Sequence, residues 1–264
     1  MIHAVTIVLV IFVLTVVMIM SGRGGGNFYV IALVLSGIPI HTASTTSQFI
    51  LLASSLMGAL VFGKARTMSW PLVFFFGGLN SLTAFVGGFE AHQFSGMALK
   101  MALSVVLVIA GVAMLLPEKE ELKSATLRFG YWNIVEGDNR YVVNLWLAVP
   151  LTLATGFFSG MVGISGGAFL VPLMVVGCGV PMRTAVGTAT AMLAATAFTG
   201  FIGNALHGGF DPVLALPCGA VAIAGGLIGG KIALKTKPKS LKTISGLITI
   251  IAAIAMMFNA LAGK

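Results

Sequence analysis

Long apolar runs alternate with short polar breaks along the whole chain. Ile2–Met20 carries no formal charge over 19 positions, and residues 101–116, 142–163, 184–206 and 212–230 are equally free of charge. Roughly 20 apolar residues make a helix long enough to cross the hydrocarbon core of a bilayer. The pattern predicts five segments per half: residues 2–21, 25–37, 43–63, 70–90 and 97–116, then 142–162, 166–178, 184–206, 212–234 and 242–261. The second segment of each half is short, about 20 Å as helix against a core of about 30 Å. Glycines open it and a Gly-x-Pro closes it, so it reads as a short helix continued by extended chain, or as a re-entrant piece. The first run is expected to be a membrane helix and not a secretory leader, because only Ile2 and His3 stand where a basic region would be.

The two halves are copies of one unit, offset by about 142 positions. Gly25-Gly26-Asn27-Phe28-Tyr29-Val30 lies over Gly166-Gly167-Ala168-Phe169-Leu170-Val171, and Gly37-Ile38-Pro39 over Gly179-Val180-Pro181. His41 to Thr46 then lies over Arg183 to Thr188, and Gly58, Gly77, Gly87 and Gly88 fall on Gly200, Gly219, Gly229 and Gly230. Residues 1–116 form the first membrane repeat, 117–140 a charged surface linker with room for a short helix, and 141–264 the second repeat.

Composition agrees. The chain is 58% hydrophobic and 8% charged, against about 25% charged in soluble domains, which excludes a soluble protein. Its net charge of +8 therefore concerns orientation in a lipid bilayer, not nucleic acid. If all ten segments cross, 13 Lys and Arg fall on one side and 2 on the other. If the two short segments re-enter, the split is 7 against 8. The positive-inside rule favours the first arrangement, with linker 117–140 cytoplasmic and both termini outside. Five crossings per half place the second copy upside down. The expected fold is thus an all-α polytopic membrane protein of two inverted repeats of five segments, each with a short broken helix. Inverted repeats are common in secondary transporters, whose sites lie between the repeats.

Candidate chemistry sits at the breaks. Gly24, Gly25 and Gly26, and Gly166 and Gly167, each precede a short helix; two facing helix N-termini would suit an anion, while tight turns and close helix contacts are the alternative use of such glycines. Thr45, Thr46 and Ser47, with Gly187 and Thr188 in the second half, open the third segments and offer hydroxyl and backbone donors, or cap and join helices. Arg23, His41 and Arg183 are candidate counter-charges or interfacial anchors. Asn80, Asn204 and His207 line a path or bond a neighbouring helix. Cys178 and Cys218 suggest neither a disulfide framework nor a metal motif. No segment centre holds Asp or Glu, since Glu90 and Asp211 stand at segment ends, and a cation substrate would want such a charge. There is no P-loop, no zinc-protease helix and no nucleophile elbow, so no enzyme, metal or cofactor is expected.

The stretch from Gly163 to Asp211, GISGGAFLVPLMVVGCGVPMRTAVGTATAMLAATAFTGFIGNALHGGFD, resembles the sulfite exporter TauE/SafE family of membrane transporters. The resemblance covers both halves and is cleaner in the second. It makes Gly166, Gly167, Pro172, Ala185, Gly187 and Thr188 motif positions. The first half departs from the motif at Arg23, Ile31 and Thr45. The resemblance implies a secondary transporter in the plasma membrane for a small sulfur-containing anion, of the sulfite, sulfonate or thiosulfate class. A passive anion channel and a non-transporting membrane subunit are the alternatives.

Overall fold

The computed structural model describes residues 2–99, 101, 102, 105, 130–136, 139–236 and 254. In the first half α1 is Ile2–Met20, α2 Gly26–Leu35, α3 Ile40–Lys64 and α4 Trp70–Glu90, followed by a tight turn at Ala91–Gln93. In the second, α5 is Leu145–Val162, α6 Gly167–Pro172, α7 Met182–Ala205 and α8 Pro212–Lys235. Among the described residues α3, α4, α5, α7 and α8 are long and apolar enough to cross a membrane. The protein is an all-α polytopic membrane protein. Most of the two expected fifth segments, 97–116 and 242–261, and linker residues 117–129, 137 and 138 lie outside the described residues.

The end of the linker is a hairpin where a short helix had room. Strands β1 (Tyr131–Glu136) and β2 (Asn139–Asn144) pair antiparallel. Aromatic and β-branched residues dominate both, which favours a pleated ribbon. Ile134 and Val143 are buried with Leu72, Phe76 and Ala148. The sixth segment consequently starts later than expected, at Leu145, where the Asn144 side chain accepts the N–H of Trp146 at 3.1 Å and caps α5.

Small residues set the packing. The buried face of α8 is Ala215, Cys218, Gly219, Ala222, Gly225, Gly226, Gly229 and Gly230, at spacings of three and four that form one stripe. Such stripes let helix backbones approach closely where lipid supplies no hydrophobic drive between helices. Large apolar side chains, including Leu9, Phe74, Leu82 and Val213, point outwards instead.

Side-chain contacts fix the helix directions. Along α3 and α8, Phe49 lies against Gly219 and Val61 against Gly230; along α1 and α8, Thr15 lies against Gly225 and Ile19 against Gly229. These three helices run the same way. By the same test α4 runs with α5 (Asn80 near Gly156, Ala84 near Gly160) and with α7 (Asn80 near Thr196, Gly88 near Asn204). α3 and α7 run oppositely, since Gln48 meets Gly200 and Gly58 meets Thr190. Because α1 and α3 run the same way, the chain between them must come back. It does so through a glycine-rich turn from Ser21 to Gly25 continued by α2. Each half also lends its fourth helix to the other: α4 packs on α5 and α7, and α8 on α1 and α3.

Candidate functional site

The returning stretches of the two halves cross each other in the interior. Gly25 lies at φ 117 and Gly163 at φ 77, backbone regions open to glycine, and α2 and α6 start at Gly26 and Gly167. A methyl on Gly26 would stand 2.8 Å from the Ser165 nitrogen, and one on Gly167 2.7 Å from Arg23 Cα. The Ser165 N–H donates to Asn27 Oδ1 at 2.8 Å and its hydroxyl to the Arg23 carbonyl. From α3, the Ser47 hydroxyl reaches both turns, Gly163 O at 2.8 Å and Gly26 O at 3.0 Å. Each turn also rests on the third helix of the opposite half, Gly22 against Val186 and Gly163 against Ser44.

The glycines therefore serve the close contacts of the crossing, the use weighed above as the alternative to an anion site. Gly24 faces Leu51 and Leu193, and Gly25 faces Tyr29 and Met18. Gly166 is the exception: its neighbours stand at ordinary contact distance, the Asn80 amide nitrogen at 3.6 Å and Thr155 Cβ at 3.8 Å from a methyl placed there. Beneath this second turn Asn80 Nδ2 donates to Thr196 Oγ1 at 2.7 Å and receives Thr155 Oγ1 on Oδ1 at 3.2 Å. Beneath the first turn the Tyr29 hydroxyl donates to Thr15 Oγ1 at 2.9 Å. Tyr29, Thr155 and Ser165 were not singled out from the sequence. Their common signal is a hydroxyl inside an apolar or glycine-rich stretch.

The electrostatics of the crossing are positive. Arg23 is 5% exposed, so it is a buried cation within the first turn and not a loop charge or interfacial anchor. The lopsided split of Lys and Arg survives without it. The N-terminus of α2 has no side-chain cap, and its free N–H groups and partial positive charge point into the crossing. The matching helix of the second half, α6, has six residues before the chain widens into a π-helical turn at Leu173–Gly177. Close by, Ser44 Oγ, Thr46 Oγ1 and Gln48 Oε1 are buried without a hydrogen-bond partner among the described residues.

Other sequence-predicted residues lie apart from the crossing. A methyl on Gly187 would collide with the Thr67 carbonyl, and Thr188 Oγ1 accepts the Ser69 N–H at 2.9 Å. Both therefore face the turn between α3 and α4. The Thr45 hydroxyl donates to the His41 carbonyl at 3.0 Å. Arg183 is exposed at the start of α7, and half-buried His41 stacks on His92. Cys178 and Cys218 are buried and free. Among the described residues no group of three or more His, Cys, Asp or Glu could hold a metal ion.

Comparison with known proteins agrees with a transport role. The chain is 27% identical over 262 residues to the probable membrane transporter protein YdhB of Bacillus subtilis strain 168, covering 96% of this chain and 99% of that protein. It is 21% identical over 255 residues to the probable membrane transporter protein YunE of the same organism, covering 90% and 91%. No solved structure matches it. A model of the sulfite exporter TauE/SafE family matches residues 7–256, so the chain belongs to that family and is a multi-pass membrane transporter, not an enzyme.

Proposed function

We propose that the protein is a secondary transporter of the plasma membrane for a small sulfur-containing anion of the sulfite, sulfonate or thiosulfate class, held where the two glycine turns cross. The observation that carries this reading is a buried Arg23 beside the uncapped N-terminus of α2, in a crossing ringed by hydroxyl and amide groups. The free N–H groups of a helix start and the positive field of a guanidinium buried beside them together favour an anion. The donors assigned to the anion are the N–H group at Gly26, Ser44 and Thr46 from α3, and the amide of Asn80 beside Gly166. Ser47 spends its proton on Gly26 and Gly163 and positions the turns. Gly187 and Thr188 hold α7 against α4.

Two copies placed upside down relative to each other fit the opposed directions of α3 and α7 and the exchange of α4 and α8. The cytoplasmic linker and outside termini follow from the Lys and Arg bias. The family name supports sulfite as the first anion to try. Purified protein in proteoliposomes should take up labelled sulfite saturably, with thiosulfate and alkylsulfonates competing and chloride not. Arg23→Gln should raise the half-saturating concentration by about tenfold, the equivalent of one charge-assisted contact. Flux that never saturates would make the protein a passive channel. No flux for any of the three sulfur anions, from protein shown to be folded, would overturn the reading.

A further inference from the structure

Three of the four histidines in the chain form a column that the proposed transport cycle does not yet use. His41 stands in the first turn of α3, His92 in the turn after α4, and His207 just beyond the end of α7. The rings of His41 and His92 stack with centroids 5.1 Å apart and planes 19° apart; those of His92 and His207 stack at 4.8 Å and 28°. The column is graded: His207 is exposed, His92 and His41 are half-buried, and His41 Nδ1 is buried without a partner among the described residues. It ties both halves together at the end of the molecule where no Lys or Arg lies among the described residues, the outer face in the orientation proposed above.

We propose that this column is a proton-binding site whose loading is coupled to passage of the anion. Imidazole is the side chain that exchanges a proton in the physiological range. His92 Nε2 stands 3.3 Å from the Asn204 carbonyl; a carbonyl only accepts, so the Nε2 hydrogen is committed and Nδ1 is the atom that takes up the proton. His41 sits at a helix N-terminus, where positive charge is disfavoured. Face-to-face rings under about 6 Å apart tolerate one charge among neutral neighbours better than two. The column thus binds one proton readily and a second reluctantly.

The acidic groups at this end are Glu90 on α4 and Asp211 before α8. Glu90 accepts from Gln93, and Asp211 caps α8 through the N–H groups of Val213 and Leu214. Phe89 and Phe210 supply the apolar surroundings, Phe89 meeting His207 edge-on at 4.6 Å. Lys100 lies outside the described residues. Stacked rings do not converge their nitrogens on one point, in line with the absence of a metal cluster among the described residues.

A physical link runs from the column to the crossing. Asn204, whose carbonyl faces His92, donates its amide to Gly160 O at 2.7 Å, and Gln48 donates to Ser159 O at 2.6 Å. The Ser159 hydroxyl in turn donates to Ile164 O in the second glycine turn. Along α3, His41 and Ser47 are separated by about 9 Å of helix rise. Charging the column therefore acts on the elements that hold both turns.

The inference rests on the transporter reading, and its test separates the two. In proteoliposomes, uptake of labelled thiosulfate, an anion ionised throughout this range, should rise by about fivefold between external pH of about 8 and 6. His92→Gln, and His207→Gln as a second variant at an exposed position, should each reduce that ratio to below about twofold. Wild-type pH dependence in both folded variants overturns the proposal. Nitrogen-15 histidine titration in nanodiscs reads the column without transport. In the wild type the three imidazoles should titrate as one stretched, coupled event, and His92→Gln should split it into two ordinary ones. Three independent titrations in the wild type overturn the proposal even if transport is intact. Coupled titration without any anion flux would sink the transporter reading and leave the proton site standing.

Discussion

α3 and α7 are equivalent helices, yet they meet equivalent neighbours in opposite ways. On α7 it is the helix that carries the small residue, Gly187, against Thr67 in the turn before α4. On α3 it is the turn that carries it: Thr45, the counterpart of Gly187, faces Gly209 in the turn before α8, with Thr45 Oγ1 3.9 Å from a methyl placed there. The first half's departure from the family motif at Thr45 thus has its complement 164 residues away, where a glycine replaces a threonine. The next residue diverges further. Thr188 is spent on the Ser69 N–H, while Thr46 is buried with no partner among the described residues. Sterics at the two places are conserved as a sum, and polarity is not. The second copy uses its hydroxyl to hold the fold, and in the proposed site the first gives its own to the anion.

The largest test of this asymmetry is a single methyl. Gly187→Ala drives Cβ into the Thr67 carbonyl and should destabilise the protein by about 3 kcal/mol or more, read as a clear drop in melting temperature in detergent. At the matching place Gly209→Ala meets nothing closer than 3.9 Å. Only its left-handed backbone, φ 82, opposes the change, at about 1–2 kcal/mol. Equal losses would show that the two sites are not complementary.

The paired threonines should separate next. Thr188→Val leaves the buried Ser69 N–H without an acceptor and should lower stability by about 1–3 kcal/mol. Thr46→Val removes a hydroxyl that bonds nothing among the described residues, so stability should change by less than about 0.5 kcal/mol. Sulfite affinity should nevertheless fall by about fivefold, the worth of one hydrogen bond. A stable Thr46→Val protein with unchanged affinity would take Thr46 out of the site.

What the sequence disclosed follows from the range of the interactions involved. The membrane helices were legible because lipid imposes one strong periodic rule on residues close in sequence; residues 70–90 were predicted and α4 is Trp70–Glu90. Repetition made the two glycine turns and the paired threonines visible as well. Contacts between the copies were not legible. Ser165 bonds Asn27 across 138 residues and Thr188 bonds Ser69 across 119, and no local pattern encodes such a partner. Arg23 was open as a counter-charge or an interfacial anchor, because no local pattern shows that the crossing buries it. His41 and His207 drew notice one at a time and His92 none, since only the fold brings the three rings together. The hairpin was missed because its strands are short and flanked by charge.

The smallest expected effect is also the one that decides which turn the anion sits beneath. The Tyr29 hydroxyl donates to Thr15 Oγ1, but the Thr15 hydroxyl already donates to Ile11 O at 2.7 Å. Tyr29→Phe therefore leaves no partner stranded and should cost about 0.5–1 kcal/mol with less than a twofold change in sulfite affinity. Asn80→Ala is similarly cushioned, since Thr196 and Thr155 donate to Met192 O and Thr152 O. It removes, however, the amide beside Gly166, the roomiest glycine of the crossing. Its expected signature is an affinity loss of about fivefold at nearly unchanged melting temperature. If Tyr29→Phe weakens sulfite uptake more than Asn80→Ala does, the anion belongs beneath the first turn, and the amide of Asn80 is only a strut between α4 and α7.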